Sequence, residues 1–269
     1  MNDDYIVPVY TILDDILRIM DYQDDPRARI SAAEILTVAV IAAKYFQNHH
    51  ERAVCLMYKL GYISHLSVSR FNRRLHALKD YLWHLGMMLG ELLSSGHIFI
   101  IDAMPMPVCK RVRASRCRKV QGKAFHGYCA SKKEYFFGWH LHLVCDAYGV
   151  PISFDLLPAK WDELVPLQYL IAPLERGTKV VADKGYISQN DQIMAWTDGI
   201  YIAAKFRKNM RGNSPEDAKL IADHRSMIET VNSQLEKMGL QRLHARTNVG
   251  FAVKVLASLV ALAFTNSFN

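Results

Sequence analysis

The sequence predicts a mixed α/β domain, residues 96–269, preceded by an all-helical N-terminal domain, residues 1–95. Two observations support this division. Residues 5–95 carry apolar side chains at helical spacing, whereas from Gly96 onward short apolar runs of β type alternate with helical stretches. The second part has the order three strands, helix, strand, helix, strand and long helix, which is typical of a layered sheet with an antiparallel hairpin at one end.

The N-terminal part contains clear helix starts and stops. Ser31 followed by Glu34 has the pattern of a capping box, Gly61 ends a later helix, and Ser67 begins a basic one. That basic helix buries Phe71, Leu75 and Leu78 on one face and displays Arg70, Arg73 and Arg74 elsewhere. A helix, a turn and a basic helix fit either a DNA-binding helix-turn-helix or a bundle with a solvated basic face, and the sequence leaves both open.

The C-terminal part begins with the strand His97–Ile101, which is predicted to end at Asp102. Pro105 and Pro107 favour a loop over the basic stretch 103–133. The remaining short elements predicted are a hairpin over 138–156, helices over 162–174 and 188–197, and strands over 178–182 and 200–204. A longer helix is predicted to be capped by Ser214. Its apolar stripe consists of Ile221, Ile228, Val231, Leu235 and Met238. The apolar helix 249–264 is expected to pack back on this layered structure.

The composition is that of an ordinary globular protein. Of 269 residues, 51 % are apolar and 22 % are charged, which excludes disorder as the main state. An odd number of cysteines, five, argues against a secreted disulfide scaffold and for a reducing compartment. Met1 is followed by Asn2, Asp3 and Asp4 rather than by a signal peptide, and the apolar stretch 255–264 is too short to span a bilayer. We therefore expect a cytoplasmic protein without a membrane partner.

Basic residues are concentrated in a few segments. Lys and Arg total 33 against 26 Asp and Glu, for a net charge of +7. Residues 103–133 contain no acid and nine basic side chains, which are Lys110, Arg111, Arg113, Arg116, Arg118, Lys119, Lys123, Lys132 and Lys133. A second cluster consists of Lys205, Arg207, Lys208 and Arg211, and no acid follows Glu236. A single basic segment is often only a solvated face, but three in one chain favour a surface that tracks phosphates.

Three acids stand out by their context. Asp102 and Asp183 each follow an apolar strand, and Glu229 lies mid-helix beside the apolar stripe. If the two strands are parallel neighbours, their ends lie about 5 Å apart, at the edge where open α/β sheets bind ligands. Each acid alone is most simply a turn former or a solvated residue.

Together with the basic segments, these acids suggest phosphoryl transfer. Two close carboxylates repel each other, and a divalent cation removes the conflict. Hard oxygen ligands suit Mg²⁺ or Mn²⁺, and two such ions can activate an attacking oxygen and stabilise a leaving one.

The same residues carry a family resemblance. The segments Ile100–Asp102, Ala182–Tyr186 and Arg225–Glu229 resemble the three catalytic motifs of the DDE transposases of bacterial insertion sequences, the insertion sequence 982 family in particular. The Pro107-Val108-Cys109 step, the Arg116-Cys117 pair and the strand Gly138–His142 are also similar to that pattern. The resemblance covers nearly the whole chain.

The resemblance implies an RNase H-like mixed sheet with flanking helices, in which Asp102, Asp183 and Glu229 bind two Mg²⁺ or Mn²⁺ ions. It implies nicking at the ends of a transposon and then attack of the freed 3′-hydroxyl on target DNA. The partners would be double-stranded DNA, both terminal inverted repeats and target, and a second copy of the chain, in a nucleoid-associated bacterial protein. The residues expected to contact DNA are Lys110, Arg111, Arg113, Arg116, Arg118, Lys119, Lys184, Lys205, Arg225, Arg70, Arg73 and Arg74.

Two positions depart from related families. Ala222 stands where a tyrosine often precedes the motif arginine, and Glu236 stands where a lysine often follows the motif glutamate. The resemblance therefore does not carry DNA contacts over to these two positions, whereas the three acids match the pattern. Arg225 lies one turn before Glu229 and can either hold a phosphate or pair with that glutamate.

Several other polar groups have both a functional and a simpler interpretation. Cys109, Cys117, Cys129 and His126 could bind zinc, but their spacing lacks the usual close pairs, and reduced cysteines are the simpler interpretation. His140 and His142 share a strand face, where structural hydrogen bonding is the simpler role. Trp161 could stack on an unpaired base or belong to the core.

The sequence thus predicts a DDE transposase, a metal-dependent DNA endonuclease and strand transferase. The alternative is a non-catalytic DNA-binding protein derived from a transposase. A glycosidase that uses a pair of catalytic carboxylates would not account for the basic segments.

Overall fold

The computed structural model describes residues 3–129, 132–206, 210 and 212–268. It divides into two compact units. The helical unit comprises residues 1–92 and 235–269, and the sheet unit comprises residues 93–234. The last 35 residues therefore group with the N-terminal helices and not, as the sequence division at residue 96 expects, with the sheet.

The helical unit is built around one apolar helix. Its helices are α1 (Asp3–Ile19), α2 (Ala32–Phe46), α3 (His50–Lys59), α4 (Val68–Ala77), α5 (Lys79–Leu93) and α9 (Asn248–Ser267). The helix α2 is buried along most of its length and packs against α1, α3 and α9. The predicted capping box is confirmed, because Ser31 Oγ accepts from the Glu34 amide at 3.1 Å and the Glu34 carboxylate accepts from the Ser31 amide.

The predicted start of the basic helix is also confirmed. Ser67 caps α4 by accepting a hydrogen bond from the Arg70 amide, and Phe71 and Leu75 are fully buried. Gly61 lies just beyond α3 with a φ of +81°, a conformation that suits glycine.

The final helix was expected to pack on the sheet, and this was wrong. The helix α9 contacts α2 and α4 within the helical unit. Among the helices of the described residues, α9 is the one long and apolar enough to cross a membrane by length and composition, but 72 % of it is buried inside the protein. Its apolar character on all sides is that of a core helix.

The sheet unit contains six strands in one mixed sheet. The strands are β1 (Ile98–Lys110), β2 (His126–Cys129), β3 (Glu134–Asp146), β4 (Pro151–Pro158), β5 (Lys179–Ala182) and β6 (Tyr201–Ala204). Their order is β2-β3-β1-β5-β6, and β4 pairs with β3 further along the same edge as β2. The predicted hairpin is confirmed by the β3–β4 pairing, with Gly149 at a φ of +86° in its turn. The β1–β5 and β5–β6 pairs are parallel.

The strand β1 is longer than the sequence suggests. Residues 103–110 were expected to form a loop, but they continue the antiparallel ladder with β3, Pro105 opposite His140 and Pro107 opposite Gly138. The parallel ladder with β5 ends at Ile101, so the two prolines lie where β1 has a partner on one side only. A proline without an N–H is tolerated at such an edge. The rest of the basic stretch contains two 3₁₀ turns and the strand β2.

Helices cover both faces of this sheet. Phe99, Ile101 and Val180 pack on one face with α6 (Leu167–Ile171) and α7 (Gln189–Thr197), whereas Ile100 and Val181 pack on the other with α8 (Pro215–Lys237). The helix α6 is much shorter than the predicted helix 162–174, since residues 163–166 form turns instead. The predicted cap of α8 is confirmed by a hydrogen bond from the Asp217 amide to Ser214 Oγ.

Candidate active site

The parallel pairing of β1 and β5 determines where the two aspartates lie. In the register of the two strands Ile101 is opposite Ala182, and the next residue of each strand is an aspartate, Asp102 and Asp183. Adjacent strands are about 4.8 Å apart, so the two carboxylates start from neighbouring backbone positions. The expectation that the two strands are parallel neighbours is confirmed.

The helix α8 completes one side of the same cleft. Asp102 and Asp183 line a cavity of about 190 Å³ together with Glu229 and Asn232. Lys205, just after β6, and Arg225 of α8 lie at the same cavity and supply positive charge. The structure therefore brings the three predicted acids to one cleft at the C-terminal ends of the parallel strands.

Asp102 is the most enclosed of the three acids. It accepts a hydrogen bond from Asn232 Nδ2 at 2.9 Å. Burial raises its pKa and the charge of Asp183 adds to this, whereas the hydrogen bonds from Asn232 and from the Ala103 amide act in the opposite direction. An aspartate in this position is stabilised by positive charge placed in the cleft.

Glu229 is held differently. Its side chain is 73 % exposed and lies 3.7 Å from the Arg225 guanidinium, one helical turn away. Within the described parts of the chain, no group of three or more His, Cys, Asp or Glu side chains is close enough to hold a metal ion. Glu229 thus lines the cleft, but its carboxylate is turned toward Arg225 and not gathered with the aspartates.

A fourth acid, Glu163, approaches the cleft from the turn before α6. Burial raises the pKa of Glu163 to about 7, and the charges of Asp102 and Asp183 add to this effect. Its carboxylate is packed against Gly185 in the turn after Asp183, where an added Cβ would overlap Glu163 Oε2. Sequence reasoning missed Glu163 because it fell inside a predicted helix with no distinguishing pattern. Asn232 was missed although its spacing of three residues from Glu229 places both near the same side of α8.

The chemistry of this donor set fits a hard divalent cation. Carboxylate oxygens from Asp102, Asp183 and Glu229 share one cleft, and the mutual repulsion of the aspartates is the kind that a cation relieves. Nearby, the Tyr186 hydroxyl is buried and has no hydrogen-bond partner among the described residues. A hydrated cation in the cleft would supply such partners.

The predicted basic residues of the sheet unit are mostly exposed. Lys184, directly after Asp183, is exposed, as are Lys110, Arg111, Arg113, Arg116 and Arg118. The Arg111 guanidinium lies 4.6 Å from the centre of the Tyr135 ring, and Lys119 donates to the Val108 carbonyl at 3.4 Å. Arg207, Lys208 and Arg211 of the second basic cluster lie outside the described residues.

The predicted basic residues of the helical unit separate into two kinds. Arg74 forms a salt bridge with Asp24 at 3.0 Å and donates to the Ile30 carbonyl, so it joins α4 to the loop before α2. Arg70 and Arg73 are exposed. A cleft in this unit is lined by Arg27, Arg29, His65, Arg70 and Arg74.

Among the residues that the structure describes, the cysteines and paired histidines form no group that could hold a metal ion. Burial raises the pKa of Cys109, and the neighbouring Cys117 adds to this. His140 and His142 have ring centres 6.1 Å apart, and burial lowers the pKa of both. Trp161 is exposed next to the turn that carries Glu163.

Comparison with solved structures identifies a similar fold. The chain resembles piggyBac transposase, solved as a synaptic complex with hairpin DNA, with a TM-score of 0.51 and 13 % identity over 99 % of this chain and 72 % of that one. A pre-cleavage Mos1 transpososome aligns with a TM-score of 0.24 and 10 % identity, over 83 % of this chain and 82 % of that one. A Mos1 paired-end complex with the left transposon end aligns with a TM-score of 0.23 and 13 % identity, over 85 % and 77 %. These last two scores are too low to support an argument.

Comparison of the sequence with curated proteins gives no match. A family model described as the transposase DDE domain matches residues 94–248. The match includes Asp102, Asp183, Glu229 and the whole sheet that positions them. Because it covers more than half of the chain, this protein belongs to the DDE transposase family.

Proposed function

We propose that this protein is a metal-dependent DNA transposase that nicks DNA at transposon ends and joins the freed 3′-hydroxyl to target DNA. The observation that carries the proposal is the single cleft in which Asp102, Asp183 and Glu229 meet two basic side chains, Lys205 and Arg225. In a DDE transposase, these three acids are the expected catalytic and metal-binding residues.

Asp102, Asp183 and Glu229 would hold the divalent ions, Mg²⁺ or Mn²⁺, with two ions per site. When bound, such ions lower the pKa of an attacking oxygen and stabilise the charge on a leaving oxygen. Asn232 keeps the Asp102 carboxylate oriented toward the cleft through its 2.9 Å hydrogen bond. The exposed Glu229 side chain has the freedom to turn from Arg225 toward the aspartates.

The cleft suits two successive phosphoryl transfers. In the first, a water oxygen bonds to phosphorus and the bond from phosphorus to the 3′ oxygen breaks, leaving a 3′-hydroxyl. In the second, that hydroxyl attacks a phosphate of the target strand and displaces its 3′ oxygen. Lys205 and Arg225 at the cleft would hold the phosphate in line with the attacking oxygen. Correct positioning and stabilisation of negative charge both accelerate phosphoryl transfer.

DNA is the partner that the charge distribution favours. We infer that the exposed residues Lys110, Arg111, Arg113, Arg116, Arg118 and Lys184 contact the DNA backbone. In the helical unit, Arg70 and Arg73 are free to contact DNA, whereas Arg74 serves mainly to hold the loop before α2. These contacts provide affinity and salt dependence without sequence specificity.

Several finer proposals follow from the same family. The sheet, in which β1, β5 and β6 are parallel and β3 pairs antiparallel with β1, β2 and β4, supports an RNase H-like catalytic domain. Residues 1–95 would serve DNA binding and dimerisation, and a homodimer would bring two terminal inverted repeats together. The origin proposed is a bacterial insertion sequence of the 982 family, with the protein acting at the nucleoid.

A nicking assay tests this proposal. The purified protein is incubated with supercoiled plasmid carrying the flanking DNA of its gene, in Mg²⁺, in Mn²⁺ and in EDTA. We expect nicking in either metal, none in EDTA, and a loss of at least a thousandfold in Asp102→Asn, Asp183→Asn and Glu229→Gln, since removing one member of a cooperating set loses most of the catalysis. Glu175→Gln, an exposed acid of the same unit, is the matched control.

The alternative is a transposase-derived protein that binds DNA without cutting it. Binding of terminal-repeat DNA without nicking in any metal would favour that alternative. Equal nicking by the wild type and all three acid variants would contradict the proposed site.

A further inference from the structure

Glu163 is a carboxylate at the cleft that the three-acid motif does not include. It precedes α6, on the face of the sheet opposite α8, and reaches the same end of the strands as Asp102 and Asp183. It is half-buried, whereas the nearby Asp162 is exposed and accepts a hydrogen bond from the Leu164 amide at 3.0 Å. Of these two adjacent acids, therefore, one serves the local turn and the other packs against the turn after Asp183.

The turn after Asp183 accommodates the Glu163 side chain. The carboxylate occupies the position that a Cβ would take on Gly185. Gly185 has no positive φ, so its lack of a side chain serves this close approach and not the backbone conformation.

Tyr186 provides an independent observation, a buried hydroxyl without a hydrogen-bond partner beside these carboxylates. Its side chain is fully buried, with 0 % exposure, and its hydroxyl has no hydrogen-bond partner among the described residues. The charges of Glu163, Asp102 and Asp183 all act on that hydroxyl. A buried hydroxyl beside several carboxylates lacks a partner that a cation with its bound water would provide.

We propose that Glu163 supplies a fourth carboxylate to the metal-binding site, from its position beside the Gly185 backbone and near the Tyr186 hydroxyl, when the carboxylates draw together around bound ions. This inference rests on the proposed function, in which Asp102, Asp183 and Glu229 bind divalent ions. It adds a ligand from the turn before α6 to those from β1, β5 and α8. The turn that carries Glu163 packs with α6 on one face of the sheet, whereas α8, which carries Glu229, packs on the other.

Direct measurement of Mn²⁺ binding tests the inference without relying on catalysis. The full-length protein is titrated with Mn²⁺ at neutral pH, and free Mn²⁺ is followed by electron paramagnetic resonance. We expect the dissociation constant to rise about tenfold or more in Glu163→Gln and to stay unchanged in Glu175→Gln. Gly185→Ala keeps every charge but displaces the Glu163 carboxylate, so it should weaken binding in the same direction.

Thermal unfolding provides a second readout that a purely structural role would not produce. Without metal, Glu163→Gln removes a charge that repels Asp102 and Asp183, so its Tm should equal or exceed that of the wild type. With saturating Mn²⁺ the wild type should gain more in Tm than the variant, because binding to the folded state stabilises it.

The outcomes separate this inference from the proposed function. If Asp102→Asn weakens Mn²⁺ binding and Glu163→Gln does not, Glu163 is no ligand and the three-acid site stands. If Asp102→Asn leaves Mn²⁺ binding unchanged, the proposed metal site and this inference both fail.

Discussion

Asn232 is the neutral side chain that controls the most enclosed acid of the cleft. Its amide donates to Asp102 Oδ2 at 2.9 Å and lowers the pKa that burial raises. A partner of this kind fixes the orientation of a carboxylate and favours its charged form. Under the proposed function, Asn232 would therefore be a positioning residue that acts through Asp102.

Asn232→Ala should reduce nicking by about ten- to a hundredfold, the range typical of partners that orient metal-binding groups. The Mg²⁺ concentration for half-maximal nicking should rise as well, because the Asp102 carboxylate loses its orienting hydrogen bond. Ser233→Ala, the exposed neighbour on the same helix, is the control. Rates within twofold of the wild type at every Mg²⁺ concentration would show that Asp102 needs no such support.

Arg225 has two possible partners, and a salt titration distinguishes them. Its pair with Glu229 at 3.7 Å is exposed, so it contributes little to stability. If Arg225 holds a DNA phosphate, Arg225→Ala should weaken DNA binding and reduce the slope of log affinity against log salt by about one. Fluorescence anisotropy with labelled DNA measures both quantities.

The control for Arg225 is Lys219→Ala, another exposed basic residue of α8. An unchanged slope and affinity in Arg225→Ala would instead assign this arginine to the pair with Glu229.

At the residue scale, the sequence contains the main features of the cleft but not its supporting contacts. Asp102 and Asp183 could be predicted because an acid at the end of an apolar strand interrupts the pattern visibly. Asn232 and Glu163 could not, because their importance depends on which surface faces the cleft after folding. No local pattern encodes that information.

At the scale of elements, the long strand β1 brings Asp102 into register with β5. Beyond Pro107 the register of β1 with β3 shifts, and Gly138 lies opposite this irregularity. A Cβ on Gly138 would overlap the Met106 carbonyl oxygen and crowd the Val108 amide. This close approach of two backbones requires glycine.

Gly138→Ala should therefore destabilise the sheet unit by about 1–3 kcal/mol, the usual cost of forcing extra atoms into a packed region. Gly212→Ala is the control, since among the described residues no atom lies within 4 Å of an added Cβ there. Urea unfolding followed by circular dichroism compares the two variants with the wild type. A change in Gly138→Ala no larger than in Gly212→Ala would mean that the strands separate there at little cost.

Most elements were visible in the sequence, and the exceptions share a cause. The helix starts at Ser31, Ser67 and Ser214 are local signals and were predicted correctly. The strand 103–110 was missed because its prolines are allowed only where β1 has one neighbour, a fact of sheet order. The packing partner of α9 also depends on tertiary structure, because a helix that is apolar on all sides does not indicate which surface it packs against.

At the scale of the whole molecule, positive charge is distributed over both units. The net charge of +7 combines exposed arginines on α4 with those that follow β1. Such an arrangement steers a polyanion toward the protein and makes its association rate fall with salt. This distribution of positive charge does not indicate which DNA sequence is preferred, because contacts to phosphates do not distinguish between bases.

The buried histidines make the stability of the whole molecule depend on pH. Burial lowers the pKa of His50 in the helical unit and of His142 in the sheet unit from 6.5 to about 4. As the pH falls below 6.5, the unfolded chain binds protons before the folded one does. Each histidine therefore contributes stability that is present above pH 6.5 and is lost progressively between 6.5 and about 4.

His142 provides the sharper test, because neither of its ring nitrogens has a hydrogen-bond partner among the described residues. Between pH 7 and pH 5 this group should cost the wild type about 2 kcal/mol of unfolding free energy, from about 1.4 kcal/mol per pKa unit. His142→Leu cannot take up a proton, so its stability should fall less over the same interval. Exposed His97→Leu should follow the wild type. Parallel pH profiles for the wild type and His142→Leu would show that His142 is reached by solvent when charged, and that burial in β3 does not determine its protonation.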